Sequence, residues 1–283
     1  MTILVTGARG QVGRRVLSRL QADGEEKVRA SSRDASTLTV PEGVEAVSLD
    51  LTRPASFERA FDGVDKVFLY AEAEGSAELV RAAERAGVTH LVLLSSSTVL
   101  GPDPEADPLA LHHLTVERAV GDSSLDSTIL RPGAFDSNSF GWGEAIRRGL
   151  VVELAYPDAR VAPIHEADIA DVAVAALTGD TLIGKALTLT GPETLSFREQ
   201  LGIIGELLGR DIPVRELGRE EAAERFAGHV PAPILRSLLD QWEAAVDDPV
   251  LPSGVTEQIT GRPGRTFRQW VTEELGAFAA ATD

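Results

Sequence analysis

Short, almost unbroken apolar runs alternate with amphipathic stretches through the first half of the chain. The runs are Ile3–Val5, Val28–Ser31, Ala46–Leu49, Lys66–Leu69, His90–Leu94 and Thr128–Leu130. Between the first two, Val12, Val16, Leu17 and Leu20 recur at helical spacing, and 76–86 reads as another helix. Runs without polar alternation suit parallel strands covered on both faces. Their alternation with helices predicts repeated βαβ units and a doubly wound α/β sheet. The pattern then changes. Leu187–Leu189 still reads as a strand, but long helical periods follow at 196–208, 219–227, 233–246 and 266–279. These predict a smaller, mostly helical lobe. The expected division is 1–134 with 161–190 for the sheet domain, and 135–160 with 191–283 for a discontinuous substrate lobe.

Composition narrows the function more than the fold. The 283 residues are 43% hydrophobic and 25% charged, ample for a core. Lys and Arg number 27 against 44 Asp and Glu, a net charge of −17. Such a field repels phosphate backbones and anionic lipid, so no nucleic-acid or membrane partner is expected. A locally positive pocket for a phosphorylated small molecule stays compatible with it. The absence of cysteine excludes disulfides, thiolate metal sites and a cysteine nucleophile. The five histidines show no ligand spacing, so no metal is expected. MTILVTGARG enters a strand and a turn directly, without a basic region or long apolar stretch. No signal peptide or membrane span is therefore expected, and the expected location is the cytoplasm.

Gly7-Ala8-Arg9-Gly10-Gln11-Val12-Gly13 lies between the first strand and the first helix. Gly7 and Gly10 allow a tight turn that a pyrophosphate can approach. Gly13 lets the helix pack closely, and the N–H groups around Gln11 and Val12 face the phosphates. The plain alternative is a structural turn. An NAD site places an acid roughly 20 residues on, at the tip of the second strand. Here that strand ends in Ser31-Ser32-Arg33, which suits a 2′-phosphate. NADP(H) is therefore expected ahead of NAD(H), with Ser32, Arg33 and Arg9 as phosphate contacts. The alternatives are Arg33 paired with Asp34, and Arg9 facing solvent.

With these pieces the chain resembles the NmrA-like group of atypical short-chain dehydrogenase/reductases. The resemblance is carried by "VTGARGQVGRRV", "SLDLTRPASFERAFDGVDKVFL" at 48–69, "STILRPGAFDSN" at 127–138 and "IHEADIADVAVAAL" at 164–177. It continues in "LTLTGPETLSFREQLGIIGELLGR" at 187–210 and "ITGRPGRTFRQWV" near the end. It implies a Rossmann-type doubly wound parallel sheet with a smaller, mostly helical substrate lobe, and an NADP preference. It also implies that the Asp50 carboxylate meets the adenine, with Leu51 packed beside it; a turn acid is the alternative for Asp50. Members include quinone and isoflavone-type reductases, and redox sensors that do no chemistry.

The superfamily's Tyr-x-x-x-Lys helix falls on "PLALHHLTVERAV". In that alignment the tyrosine position is Leu109, the lysine position His113, and Glu117 matches a family glutamate. Asp107 is a plausible N-cap with Pro108 as first helical residue, so Leu109, His113 and Glu117 share a face. His113, with an ordinary pKa near neutrality, is a candidate to protonate a substrate oxygen, oriented by Glu117; otherwise it is a surface histidine. His112 points elsewhere on the helix. Ser96 or Ser97, in the Ser95–Ser97 run, matches the active-site serine region; satisfying strand-end backbone is the alternative. Tyr70, Phe135, Asn138, Trp142 and His165 are candidates for the substrate pocket. Trp242 reads better as packing, and Asp168 as a helix N-cap. The expected function is an NADPH-dependent oxidoreductase passing hydride to a small carbonyl, quinone or enone, as a monomer or homodimer. Two alternatives stay open: a dehydratase, cyclase or isomerase using His113 and Glu117, and a catalytically silent NADP-sensing regulator.

Overall fold

In the computed structural model, which describes residues 1–24 and 27–279, the first strands are β1 (Thr2–Val5), β2 (Lys27–Ser32), β3 (Glu45–Ser48), β4 (Lys66–Tyr70), β5 (His90–Leu94) and β6 (Asp126–Pro132). Then come β7 (Val152–Ala155), β8 (Arg160–Val161), β9 (Ala186–Leu189), β10 (Leu195–Ser196) and β11 (Val214–Leu217). The helices are α1 (Gln11–Asp23), α2 (Phe57–Phe61), α3 (Ser76–Arg85), α4 (Pro108–Gly121), α5 (Gly143–Arg147) and α6 (Glu166–Thr178). They continue with α7 (Phe197–Leu208), α8 (Arg219–Phe226), α9 (Ala232–Asp247), α10 (Val255–Thr260) and α11 (Phe267–Glu273).

All seven apolar runs named above pair into one sheet, in the order β3-β2-β1-β4-β5-β6-β9. Every pairing in it is parallel, for example Ile3 opposite Val28 and Leu4 opposite Val67. The order reverses at β1, which makes the sheet doubly wound, as the pattern predicted. Leu4, Leu69, Leu91 and Leu93 are at most 1% exposed. Burial of each such side chain contributes about 1.5–3 kcal/mol. On one face Phe57, Phe61, Leu79 and Val116 join this core. At the amino ends of the strands His90 is buried, its Nε2 lying 3.0 Å from the Thr128 hydroxyl, which itself donates to the Leu182 carbonyl. The α6 helix is apolar nearly all round and buried on ten of its thirteen positions, so it lies inside its unit rather than on its surface. It begins at Glu166, three residues before the Ile169 start that an N-cap at Asp168 requires. Asp168 therefore sits in the first turn, where a carboxylate still favours the positive end of the helix dipole.

The chain divides into two compact units. The first is Met1–Pro132, Glu166–Leu189 and Val255–Arg262, and the second is Gly133–His165, Thr190–Gly254 and Pro263–Asp283. The helices expected at 196–208, 219–227 and 233–246 are present as α7, α8 and α9, whereas the one expected at 266–279 is α11 only as far as Glu273, followed by a 3-10 turn at Leu275–Ala277. The second unit also holds two small sheets that the hydrophobic pattern does not announce, β8 with β10 antiparallel and β7 with β11 parallel. Strands of two residues, as in β8 and β10, or four, as in β7 and β11, give too little periodicity to read. Its main core gathers Phe267, Trp270 and Phe278, with the Phe140 ring 4.9 Å from that of Trp270.

Candidate functional site

The glycine turn in the first unit is built by steric necessity. Gly7 takes φ +62°, a left-handed conformation that side chains resist. Its carbonyl accepts the Gly10 N–H at 2.8 Å. A Cβ on Gly13 would lie 2.3 Å from that same carbonyl oxygen, so only glycine lets α1 begin pressed against the turn. Gly10 caps α1 without a side-chain hydrogen bond, and the first turn carries no acid. The positive end of α1 is thus left to an external anion, and the turn fits a pyrophosphate. Val12 is buried, so it offers only its backbone there. Gln11 is engaged by Arg15, which donates to both its carbonyl and its side-chain oxygen.

Beyond β2 the charges are arranged differently from the Arg33–Asp34 pair considered above. Asp34 accepts from the Ser36 N–H at 3.0 Å and from its hydroxyl at 2.7 Å. These bonds, with Arg9, hold its carboxyl below the usual range. Arg9 donates to the Thr37 hydroxyl. Asp50 accepts from the N–H and hydroxyl of Thr52, and its pKa is lowered by those bonds and by Arg53 and Arg33. Arg33 is exposed beside Asp50. Ser32 Oγ donates to the Asp34 carbonyl, and Leu51 packs on the sheet core. The loops after β1, β2 and β3 thus bring Gly7–Gly13, Ser32, Arg33, Asp50 and Leu51 to one end of the sheet.

At the carboxyl end of β5 the structure revises the expected chemistry. Asp107 caps α4, accepting from Leu109 and Ala110 N–H, with Pro108 next, as the sequence predicts. Glu117 does not hydrogen-bond His113. Its buried carboxylate accepts from Arg131 of β6 through Nε at 2.9 Å and Nη2 at 2.5 Å, and from Ser95 Oγ at 2.5 Å. Arg131 carried no assignment from the sequence, although "ILRPG" placed it at a strand end where such a partner is useful. Ser96 is a cap, accepting from the Thr98 N–H and hydroxyl. Ser97 is half-buried beside it. His112 Nε2 lies 3.3 Å from the Ala71 carbonyl, and its ring meets that of His113 edge-on at 5.3 Å.

His113 is pushed down to about 4, by burial first and then by His112, with Glu117 opposing. It is neutral at pH 7, and its buried Nδ1 has no hydrogen-bond partner among the described residues. The expectation of an ordinary pKa fails because residues on other elements bury the ring. Stability carries the same signature. A base whose folded pKa is depressed leaves stability intact above its unfolded value near 6.5 and erodes it as pH falls toward about 4. Urea midpoints should show wild type losing about 2 kcal/mol more than His113→Gln between about pH 7.5 and about pH 5. Equal losses would refute the buried, neutral state. His90, also lowered by burial and Lys66, adds the same sign to both proteins.

The second unit contains a cavity of about 1080 Å³. Phe135, Asn138 and Trp142 line it, and so does Trp242, which the sequence reading assigned to packing. Trp142, Phe197 and Trp242 form a continuous wall, with successive ring centroids 6.0 and 5.6 Å apart at 71° and 84°. Two of the pocket candidates lie elsewhere. His165 is fully buried, with Nε2 3.2 Å from a Glu273 carboxylate oxygen. Tyr70 is in the first unit, its Cβ within 3.2 Å of where a Gly7 Cβ would stand, because β4 lies beside β1. Among the described residues no three His, Asp or Glu side chains are grouped to hold a metal ion. Among them, too, no helix is long and apolar enough to cross a membrane.

Comparison with known proteins agrees with this geometry. A family model described as NAD(P)H-binding matches residues 7–180. The (4-alkanoyl-5-oxo-2,5-dihydrofuran-3-yl)methyl phosphate reductase of Streptomyces griseus subsp. griseus is 40% identical over 284 residues, covering 98% of this chain and 99% of that protein. The NAD(P)H azoreductase of Xenophilus azovorans is 31% identical over 291 residues, covering 99% and 100%. The fold matches the NADPH complex of an Escherichia coli quinone oxidoreductase with a TM-score of 0.81 at 22% identity, covering 96% of this chain and 99% of that one.

Proposed function

The chain belongs to the NAD(P)H-binding family, within the NmrA-like atypical short-chain dehydrogenase/reductases, and on that premise we propose that it is an NADPH-dependent reductase of a small, electron-poor organic acceptor such as an enone, a quinone or an acyl-substituted unsaturated lactone. The observation that carries this reading is the uncapped amino end of α1, held against Gly7 by Gly13, with an exposed Arg33 beyond β2. The first unit is the nucleotide-binding part. Gly7–Gly13 and the α1 N–H groups hold the pyrophosphate. Arg33, with Arg9 and Ser32, holds the 2′-phosphate, and Asp50 with Leu51 faces the adenine. The reduced nicotinamide supplies a hydride to the acceptor.

The chain's own residues then do modest work. A conjugated acceptor spreads the arriving negative charge, so no strong protein acid is needed, and Leu109 offers none. A neutral His113 ring donates a hydrogen bond to the acceptor's oxygen, as a depressed imidazole does in other enzymes. Solvent delivers the proton. Ser97 is a second donor for that oxygen. The 40% identical relative reduces an alkanoyl- and oxo-substituted dihydrofuranylmethyl phosphate, and the azoreductase acts on an azo compound. Both names describe electron-poor double bonds, which supports this acceptor class.

Calorimetric titration with NADPH and NADH, then loss of the reduced-nicotinamide absorbance with enones, quinones and alkanoyl butenolides, tests the reading. NADPH binding with turnover supports it. Tight binding without oxidation of any acceptor would overturn it in favour of a sensor or a non-redox enzyme. In the same titration Arg33→Ala is expected to weaken NADPH by roughly 10- to 100-fold and leave NADH unchanged, the worth of one charge-assisted phosphate contact. Equal weakening of both nucleotides would remove Arg33 from the 2′-phosphate.

A further inference from the structure

The second unit's cavity has a feature that a flat acceptor does not use. Its wall of Trp142, Phe197 and Trp242 is continued at the mouth by Leu150 and Val151, adjacent aliphatic residues that remain 49% and 46% exposed. Apolar side chains left in water at the mouth of an apolar cavity are surface for a ligand to cover. The volume, about 1080 Å³, is at the upper end of the roughly 300–1,000 Å³ usual for small-molecule sites. The cations around it are held by carboxylates. Arg225 and Arg215 share Glu153, and Arg148 and Arg147 share Glu144. The cavity therefore offers an apolar track whose neighbouring guanidinium groups are engaged in ion pairs.

We infer that this cavity holds an extended, uncharged alkyl or acyl chain of the substrate, running along the aromatic wall and out over Leu150 and Val151. The inference rests on the reductase reading and names its substrate class: an acceptor with a medium or long aliphatic tail. A ring alone would leave the rim in water. A chain covers both wall and rim and gains affinity with each methylene, about three- to fourfold at full burial.

The test separates binding from turnover. Saturated methyl ketones with tails from methyl to nonyl are titrated into the full-length protein without nucleotide, following tryptophan fluorescence. Trp142 and Trp242 line the cavity, whereas Trp270 is fully buried and does not. The matching enones are then assayed with NADPH. Affinity should rise severalfold per methylene, and KM of the enones should fall with tail length while kcat stays level. Leu150→Asn should flatten the dependence for the longest tails, and Leu251→Asn, which places a polar group on an exposed leucine outside the cavity, should not. No quenching at any length, or affinity independent of length, would overturn the assignment. An oligomer that Leu150→Asn dissolves with the length dependence intact would give the rim to a second copy of the chain instead. Length-dependent ketone binding with no oxidation of NADPH by any enone would defeat the reductase reading and leave the chain site standing.

Discussion

A Gly13→Ala protein is expected to bind NADPH at least a hundredfold more weakly than wild type while keeping its fold. The added methyl would stand 2.3 Å from the Gly7 oxygen, 2.8 Å from the Gly7 carbon and 3.3 Å from Ala8 Cα. All three are backbone, so no rotamer change relieves the clash. Gly7 has little freedom to retreat. Its carbonyl is tied to the Gly10 N–H, and Tyr70 lies against its Cα side. The start of α1 must move away instead, and with it the N–H groups meant for the pyrophosphate. Losing two charge-assisted hydrogen bonds of about 1.5–3 kcal/mol each accounts for a factor of 100 or more. The overpacking itself costs about 1–3 kcal/mol of stability. The rest of α1 stays anchored through buried Val16, Leu17 and Leu20 and the Arg19–Asp171 ion pair with α6. Circular dichroism should therefore report a folded protein with a lowered Tm, and calorimetry should report lost binding. Near-native NADPH affinity in a folded Gly13→Ala protein would show that the phosphate does not use this end of α1.

How far the chain could be read without its structure follows from how local each signal is. The seven strands of the large sheet were legible because each is a compact apolar run, and buried parallel strands have no polar face to blur it. The glycine turn was legible because backbone geometry is written into residue type. Neighbourhood in space was not. Tyr70 follows the fourth strand in sequence, and the order β2-β1-β4 sets it against Gly7, a neighbour that sequence distance hides. The pKa of His113 depends on burial by other elements, which no spacing along α4 encodes. Trp242 read as packing because its partner Phe197 is far away in sequence and meets it only when α7 and α9 converge. Glu117 and Arg131 were both visible as residues in recognisable segments. Their pairing required α4 and β6 to be placed side by side.

That pairing carries the other large expected effect. Arg131→Ala leaves the Glu117 carboxylate, whose side chain is 6% exposed, without its cation. Breaking a buried ion pair from one side costs about 3–5 kcal/mol, because the remaining charge stays desolvated. In a chain of this size that lowers Tm by roughly 10 °C. Removing both charges is a different matter. In Arg131→Met with Glu117→Leu, much of the loss should return, since no unpaired charge remains. The same pair discriminates between roles for Glu117. If it only positions α4 against β5 and β6, Glu117→Gln keeps an acceptor for Ser95 and Arg131, and turnover should fall modestly with stability. If Glu117 were an acid or base, as a dehydratase or isomerase on this fold would require, Glu117→Gln would abolish turnover outright, far beyond the loss that its destabilisation accounts for. The two outcomes are read from the same protein by one melting curve and one rate. The bidentate contact of Arg131 with the carboxylate, completed by the Ser95 hydroxyl, favours the first: a carboxylate already accepting three hydrogen bonds has its charge committed to holding the helix in place.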